Sequence, residues 1–307
     1  MLKYIVQRLI AAVPTLLGVA IVVFMMLRML PGDPARTIAG AQAGEADVEM
    51  IRHSLGLDQP VGTQFVTFIT RLAHLDLGQS ARSSQPVGQE VMARLPYTVE
   101  LALVAIVLAT AIGVIAGVIA ATHHNSRVDY LVSAASLFGV SMPVYWLGLM
   151  LIVVFAINLQ WFPAAGADQP LSFVLPSFTL ASFVVGLIAR MTRSSMLEVL
   201  RQDYVQTARS KGLHERVVLY VHALRNALLP VVTIVGLQFG TLLGGAVLTE
   251  TVFGWPGIGQ LLVDSIFARD YPVVQGITLT FSSLFILVNL AVDVLYAYVD
   301  PRIHYGS

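Results

Sequence analysis

Long stretches without a charged residue alternate along the chain with short charged segments. Each stretch is close to or longer than the roughly 20 residues that a helix, rising 1.5 Å per residue, needs to cross about 30 Å of hydrocarbon. One buried soluble helix can be this apolar, but six in one chain indicate a membrane protein. The pattern therefore predicts an all-α membrane protein with six transmembrane helices. The six stretches are Leu9–Leu27, Leu101–Ala121, Tyr130–Ala167, Gln169–Ala189, Asn226–Thr249 and Tyr271–Val292.

The first stretch also has the basic start of a signal peptide, because Lys3 and Arg8 precede or flank it. Its apolar run exceeds the roughly 7–15 residues of a signal peptide, and Arg28 follows before any small-residue cleavage pattern. The sequence Ala39-Gly40-Ala41 is a weak cleavage candidate far downstream. We therefore interpret the segment as a retained first span.

The composition agrees with the membrane interpretation. Only 12% of the residues are charged and 56% are hydrophobic, whereas a soluble domain is about a quarter charged. A net charge of zero predicts no nucleic-acid partner, and the lack of cysteine excludes disulfides and thiolate metal sites. The sequence has no G-x-x-x-x-G-K-[ST] motif, and Val218 occupies the second histidine position of H-E-x-x-H. We therefore expect no catalytic residue, metal or bound cofactor, and no enzymatic activity of this chain.

Basic residues in short connections lie mainly on the side that carries both termini. That side holds ten, against one (Arg269) in the short connections of the other side. Since basic residues in short loops mark the cytoplasm, both termini are predicted to be cytoplasmic. The rule applies only weakly to the long segment that starts at Arg28. If its basic residues are counted in full, the two sides carry ten and seven basic residues. The predicted divisions are the N-terminus with the first span (1–30), an extracytoplasmic helical region (31–97), a transmembrane core (98–300) with a cytoplasmic segment (193–229), and a cytoplasmic tail (301–307).

Three short helices are predicted in the extracytoplasmic region. "EADVEMIRHSLG" ends at a glycine, and "DQPVGTQFVTFITRLAHL" has Asp58 as a candidate N-cap and Pro60 in its first turn. "SQPVGQEVMARLP" is predicted to stop at Pro96. The region either meets a soluble partner or only packs over the spans.

The cytoplasmic segment contains a short helix with defined ends. Asp203 is a candidate N-cap and Gly212 a candidate left-handed end, which predicts a helix over Tyr204–Lys211. A second, amphipathic helix follows and is predicted to break at Pro230. Its predicted apolar stripe is Val217, Val221, Leu224 and Leu228.

This segment has several interpretations. A charged connector explains the sign of the charge but not the capped helix, and a lipid-binding surface helix suits Arg216 and Arg225. A DNA-reading helix-turn-helix is the least supported interpretation, because spans on both sides hold the segment against the bilayer. A rigid helix presented to a cytoplasmic protein accounts best for the pattern.

The same segment carries a family resemblance. "DYVQTARSKGL", followed by "HALRNALLPV", resembles the coupling-loop signature of membrane permease subunits of bacterial ABC importers: Glu-Ala-Ala, three residues, Gly, and a downstream Leu-Pro. Gln206, Thr207 and Ala208 stand at the first three positions, Gly212 at the glycine, and Leu229-Pro230 at the end. Two of the first three positions depart from the general form of the signature, and the distance from Gly212 to Leu-Pro is longer than in sugar importers. Both departures resemble the peptide-importer branch.

Other stretches resemble that branch in the same order along nearly the whole chain. Leu75-Asp76 replaces its usual Gly-Asp, which is a small departure. The matching stretches are "RMLPGDPA", "LGLDQP", "DLGQS", "RLPYTVELAL", "ETVFGWPGIGQLLVDSI" and "VDVLYAYVDPRI".

The resemblance implies the type I ABC importer permease fold in the bacterial inner membrane, and import of short peptides. It implies two cytoplasmic ATPase subunits or domains that use ATP and magnesium, a second related permease subunit, an extracytoplasmic peptide-binding protein, and surrounding lipid. The residues implied to couple to the ATPase are Tyr204, Gln206, Thr207, Ala208, Arg209, Lys211 and Gly212. The residues implied to form a loop near an outer gate are Glu250, Phe253, Pro256, Gly257 and Gly259. Simple loop packing is the alternative for this second set.

Several residues within the spans have two interpretations. The spacing of Gly236, Gly240, Gly244 and Gly245 favours close helix packing over a substrate path. A path would include Gln238, Thr241 and Ser141. Pro143 is expected to bend the third span. Asp293 lies too near the cytoplasm for a proton relay, and His123-His124 is expected to be a solvated pair.

Two other classes of protein remain as alternatives. A proton-driven secondary transporter would need acids at mid-membrane, and a membrane scaffold would transport nothing. Within the resembled family, nickel complexes and glutathione are alternative substrates.

Overall fold

The computed structural model describes residues 2–29, 33–40, 42–54 and 56–299. Across these ranges the regular secondary structure is helical, with a single isolated bridge between Gln79 and Pro86. The all-helical prediction is therefore confirmed. The helices are α1 (Leu2–Met29), α2 (Pro34–Ala39), α3 (Glu45–Ser54), α4 (Val61–Ala73), α5 (Val87–Thr122), α6 (Arg127–Ser141), α7 (Val144–Leu151), α8 (Val174–Val199), α9 (Asp203–Ser210), α10 (Glu215–Val217), α11 (Leu224–Phe253), α12 (Ile258–Phe267) and α13 (Tyr271–Val299), with π-helical segments at Ile152–Asn158 and Val218–Ala223.

Five of the described helical segments are long and apolar enough to cross a membrane. A bent pair, Arg127–Ser141 with Val144–Asn158, makes a sixth candidate if the two are counted as one span. Five of the charge-free stretches therefore overlap a candidate span, and the sixth, Tyr130–Ala167, overlaps the bent pair. The five helical segments are Ile5–Met26, Val87–Thr122, Val174–Val199, Glu215–Phe253 and Tyr271–Val294.

The third candidate span is broken at Pro143, as predicted. α6 ends at Ser141, Met142 is extended (φ −77°, ψ 136°), and α7 starts at Val144. The two segments meet at 103°. Proline disfavours helical backbone at the preceding residue and removes an amide donor, which explains the break.

The predicted breaks at Pro96 and Pro230 are wrong. Pro96 lies inside the 36-residue α5, and Pro230 inside the 30-residue α11. Each proline removes one backbone hydrogen bond from a long ladder, and long apolar helices tolerate such a loss. The helix predicted to end at Pro96 is therefore the beginning of the second span.

The helices of the 31–97 region form largely where they were predicted. α3 is followed by Gly56 in the left-handed conformation (φ +65°), but Asp58 is not an N-cap, because α4 starts at Val61 with Pro60 before it. The rings of Phe65 and Phe68 on α4 pack against Phe24 of α1, at centroid distances of 5.1 and 5.6 Å. The region thus packs on the first span; a soluble partner for it stays a prediction.

The chain divides into two compact units. The first comprises 1–98 and 256–286, and the second 99–255 and 287–307. In the first unit, Val87, Val91, Ile258 and Ile277 form an apolar core. The predicted four-part division is a different partition and stays a prediction; its tail, 301–307, lies outside the described residues.

In the second unit α8 packs against α6, α7 and α11. Small residues allow close approach: a Cβ added at Gly117 of α5 would lie 2.5 Å from Thr192 Cβ of α8. A Cβ at Gly236 of α11 would lie 2.5 Å from a methyl of Val292. The predicted close packing is therefore confirmed at Gly236, whereas Gly244 and Gly245 face open space.

Candidate coupling site

The short helix α9 is held to the second unit by its inward face. Val205 is fully buried and Ala208 is 8% exposed. With Val218 they form a cluster against Val199, the last residue of α8, and Leu200, its C-cap. The predicted contact residue Ala208 therefore lies in the anchor of α9 rather than on its free surface.

The outward face of α9 is polar and ordered. Gln206, Thr207, Arg209 and Lys211 are all exposed. Arg209 binds Glu215 with two hydrogen bonds, Nη2 to Oε1 at 2.7 Å and Nε to Oε2 at 3.2 Å. The Glu215 carboxylate raises the pKa of Arg209 above its usual value, and the two opposite charges offset each other on this face.

The two ends of α9 differ in how well they were predicted. Gly212 adopts φ +77°, and its N–H donates to the Arg209 carbonyl at 2.9 Å; the left-handed turn is confirmed. The N-cap prediction is wrong, because α9 begins at Asp203 and Gln202 occupies the cap without a side-chain bond. Asp203 instead places its charge in the first turn, where the helix dipole favours an acid.

The segment after Gly212 is connected back to α9 by Tyr204. Its hydroxyl accepts a hydrogen bond from Asn226 Nδ2 at 2.8 Å and donates to the His222 carbonyl at 3.5 Å. Tyr204 is 42% exposed. It therefore belongs both to the free surface and to the attachment of α9 to the start of α11.

The predicted apolar stripe of this segment is not the face that packs on the protein. Val217 and Val221 are exposed, and Leu224 and Leu228 only half-buried. The chain between α10 and α11 is π-helical, which adds a residue to the turn. The inward residues are therefore spaced by five and then four, a pattern that a 3.6-residue period does not reveal. They are Val218, Ala223 and Ala227.

The residues of the predicted outer gate loop lie around the end of α11. Glu250 and Phe253 are buried, and Gly254 ends α11 with φ +56°. Gly257, also buried, occupies the N-cap of α12. The glycine-rich turn is confirmed. Its position near an outer gate, and the assignment of Pro256 and Gly259 to that gate, stay predictions.

The three residues suggested for a substrate path have different surroundings. Ser141 is the exposed last residue of α6. Thr241 donates to the Leu237 carbonyl at 3.1 Å, and Gln238 Oε1 is buried without a partner among the described residues. The residues that the structure describes include no group of three or more His, Asp or Glu side chains placed to hold a metal ion.

α9 is thus a polar helix whose buried face packs on the end of a long apolar helix. A family model described as "Binding-protein-dependent transport system inner membrane component" matches residues 113–305, and the model of its N-terminal part matches residues 1–102. The chain belongs to this family, the membrane permeases of ABC importers, and is a multi-pass protein of the inner membrane.

Curated relatives are similar over the full length. The chain is 48% identical over 305 residues to the glutathione transport system permease protein GsiC of Escherichia coli K12, covering 99% of this chain and 100% of that protein. It is 47% identical, with the same coverage, to GsiC of Salmonella paratyphi A. The resemblance to the peptide-importer branch is thereby confirmed.

Solved structures of ABC transporters share the fold. An inward-facing MetNI methionine transporter matches with a TM-score of 0.60 at 20% identity, over 69% of this chain and 97% of that one. An amino acid ABC transporter crystallised with histidines matches with a TM-score of 0.52 at 14% identity, over 70% of this chain and 95% of that one.

Proposed function

We propose that this chain is the permease subunit of an ATP-driven importer for glutathione or a closely related short peptide. The full-length 48% identity to proteins named for glutathione transport carries the proposal. The sequence favoured di- and oligopeptides, with glutathione and nickel complexes as alternatives, and the relatives favour the glutathione alternative. Since glutathione is itself a tripeptide, the substrate class changes little.

The energy is supplied by cytoplasmic ATPase subunits that grip α9. The exposed polar face, with Gln206, Thr207 and Arg209, supports this, because a soluble protein can bind it without exposing apolar surface. The buried anchor of Val205 and Ala208 supports it too, because force applied to α9 passes directly to the end of α8. Both termini of the chain then lie in the cytoplasm.

The complete importer contains three kinds of partner. A second, related permease subunit forms the path together with this chain, two ATPase subunits or domains bind below, and an extracytoplasmic binding protein delivers the peptide. The family description, which names a binding-protein-dependent system, supports the last of these. The loop around Glu250 and Gly257 lies near the outer gate of that path.

Deletion of this chain should abolish glutathione uptake. Radiolabelled glutathione, a radiolabelled dipeptide and ⁶³Ni²⁺ are supplied separately to the deletion strain and to the same strain carrying the gene on a plasmid. We expect loss and restoration of glutathione uptake alone, since the substrate class follows the relatives. Loss confined to dipeptide or nickel uptake would favour those substrates instead, and unchanged uptake of all three would favour the scaffold interpretation.

The same cells show whether uptake is driven by ATP or by the proton gradient. Uptake should continue in a protonophore while ATP is maintained, and should stop when ATP is depleted. The opposite pattern would identify a proton-driven transporter and remove the role of α9.

A further inference from the structure

An ion pair with a buried carboxylate lies in the second unit at the end of α8 that leads to α9. Arg193 of α8 binds Asp129 of α6 with two hydrogen bonds, Nε to Oδ1 at 2.6 Å and Nη2 to Oδ2 at 2.7 Å. The two residues are 64 positions apart in sequence. The pair therefore connects two helices that the chain itself connects only through the broken third span.

The turn between α5 and α6 is part of the same cluster. The Asn125 N–H donates to Asp129 Oδ2 at 3.0 Å, from a left-handed backbone with φ +61°. His124 Nδ1 lies 3.2 Å from Arg193 Nη2 and 3.3 Å from Asp129 Oδ2. The Asp129 side chain is 3% exposed and that of Arg193 29%, so the carboxylate depends on these partners rather than on water.

Close helix packing surrounds the pair. Thr192, the residue before Arg193 on α8, meets Gly117 of α5 at a distance that leaves no room for a Cβ. Gly186 of α8 approaches the Ser136 carbonyl of α6 equally closely, at 2.4 Å from a built Cβ. α8 is thus held to α5 and α6 along its length, and the ion pair closes this contact at the end nearest α9.

We propose that the Asp129–Arg193 pair is a positioning element that makes α5, α6 and α8 move as one body when α9 is moved. The inference rests on the proposed function of α9. A bidentate guanidinium–carboxylate pair fixes orientation as well as distance, and Arg193 lies ten residues before Asp203, the first residue of α9. Without the pair, α9 can tilt the end of α8 without moving α5 and α6.

The direct test measures whether α9 and α6 move together. This chain has no cysteine, so within it spin labels attach only at Ser210→Cys and Arg127→Cys, two exposed positions at the end of α9 and at the start of α6. The purified importer is reconstituted in nanodiscs, and the distance distribution is recorded by pulsed electron resonance without nucleotide and with ATP and vanadate. We expect one narrow distribution in each state for the unaltered pair, and a width at least doubled for Asp129→Asn or Arg193→Gln.

Two further variants separate positioning from simple destabilisation. Arg193→Lys keeps the charge but loses the bidentate geometry, and should also broaden the distribution at unchanged protein yield. In Asp129→Asn, glutathione transported per ATP hydrolysed should fall about tenfold, whereas loss of folded protein alone lowers both rates equally. Distributions as narrow as the parent's in all three variants would overturn the proposal. This readout does not depend on ATPase binding to α9: if α9 proves not to bind the ATPase while the distributions broaden, only the proposed function fails.

Discussion

Replacing Gly212 by valine should uncouple ATP hydrolysis from uptake. Gly212 has φ +77°, and a Cβ there would meet no atom within 4 Å. The change therefore acts through the backbone conformation alone, at a cost of about 1–2 kcal/mol, more for a β-branched residue. Since about 1.4 kcal/mol corresponds to a tenfold change in a population, we expect the ratio of glutathione transported to ATP hydrolysed to fall about tenfold.

Gly212→Asn is the matched control, because asparagine tolerates the left-handed region. The ratio of glutathione transported to ATP hydrolysed is measured for each variant, on the importer reconstituted in proteoliposomes with its binding protein. Asparagine should retain most of the coupling, and valine should not. Equal coupling in the two variants would show that the left-handed turn after α9 has no part in transmission.

Replacing Ala208 by glutamate should release the ATPase from the complex. Ala208 packs with Val205 and Val218, where an unpaired carboxylate costs several kcal/mol. Detached from this anchor, an eight-residue helix is too short to be stable, since isolated helices below about 12–15 residues are marginal. We expect at least a tenfold loss of ATPase recovered with the affinity-tagged permease.

Ala208→Ser is the control for this site. Serine is close to alanine in size, and its hydroxyl can bond the carbonyl four residues earlier in the helix. It should keep the ATPase bound. Undiminished association of the glutamate variant, at equal permease yield, would show that the docked form of α9 is not what the ATPase recognises.

The spans were predictable because a single property defines them. A charge-free run of sufficient length can cross a membrane whatever its detailed packing, so five of the six runs overlap a candidate span and the sixth overlaps the bent pair. Gly212 was predictable for a similar local reason, since few residues other than glycine adopt its conformation. The failures at Pro96 and Pro230 came from a rule for helix interiors that a long apolar helix can override.

Features that depend on contacts between distant residues were not predictable. The π-helical turn at 218–223 shifts the inward face from Val217 to Val218, and no local residue pattern marks that change of hydrogen-bond register. The Asp129–Arg193 pair joins two residues whose proximity follows from the packing of α6 on α8. Ala208 was predicted to couple to the ATPase, and only the structure shows that it lies in the buried anchor of α9.

An ATPase can reach α9 only if this helix lies on the cytoplasmic side of the membrane. The most direct measurement is labelling by a membrane-impermeant maleimide of Gln206→Cys on α9 and Gln85→Cys in the region predicted to be extracytoplasmic, both exposed positions in a cysteine-free chain. In intact spheroplasts only Gln85→Cys should react, and Gln206→Cys should react once the membrane is opened. Reaction of Gln206→Cys in intact spheroplasts would contradict the account.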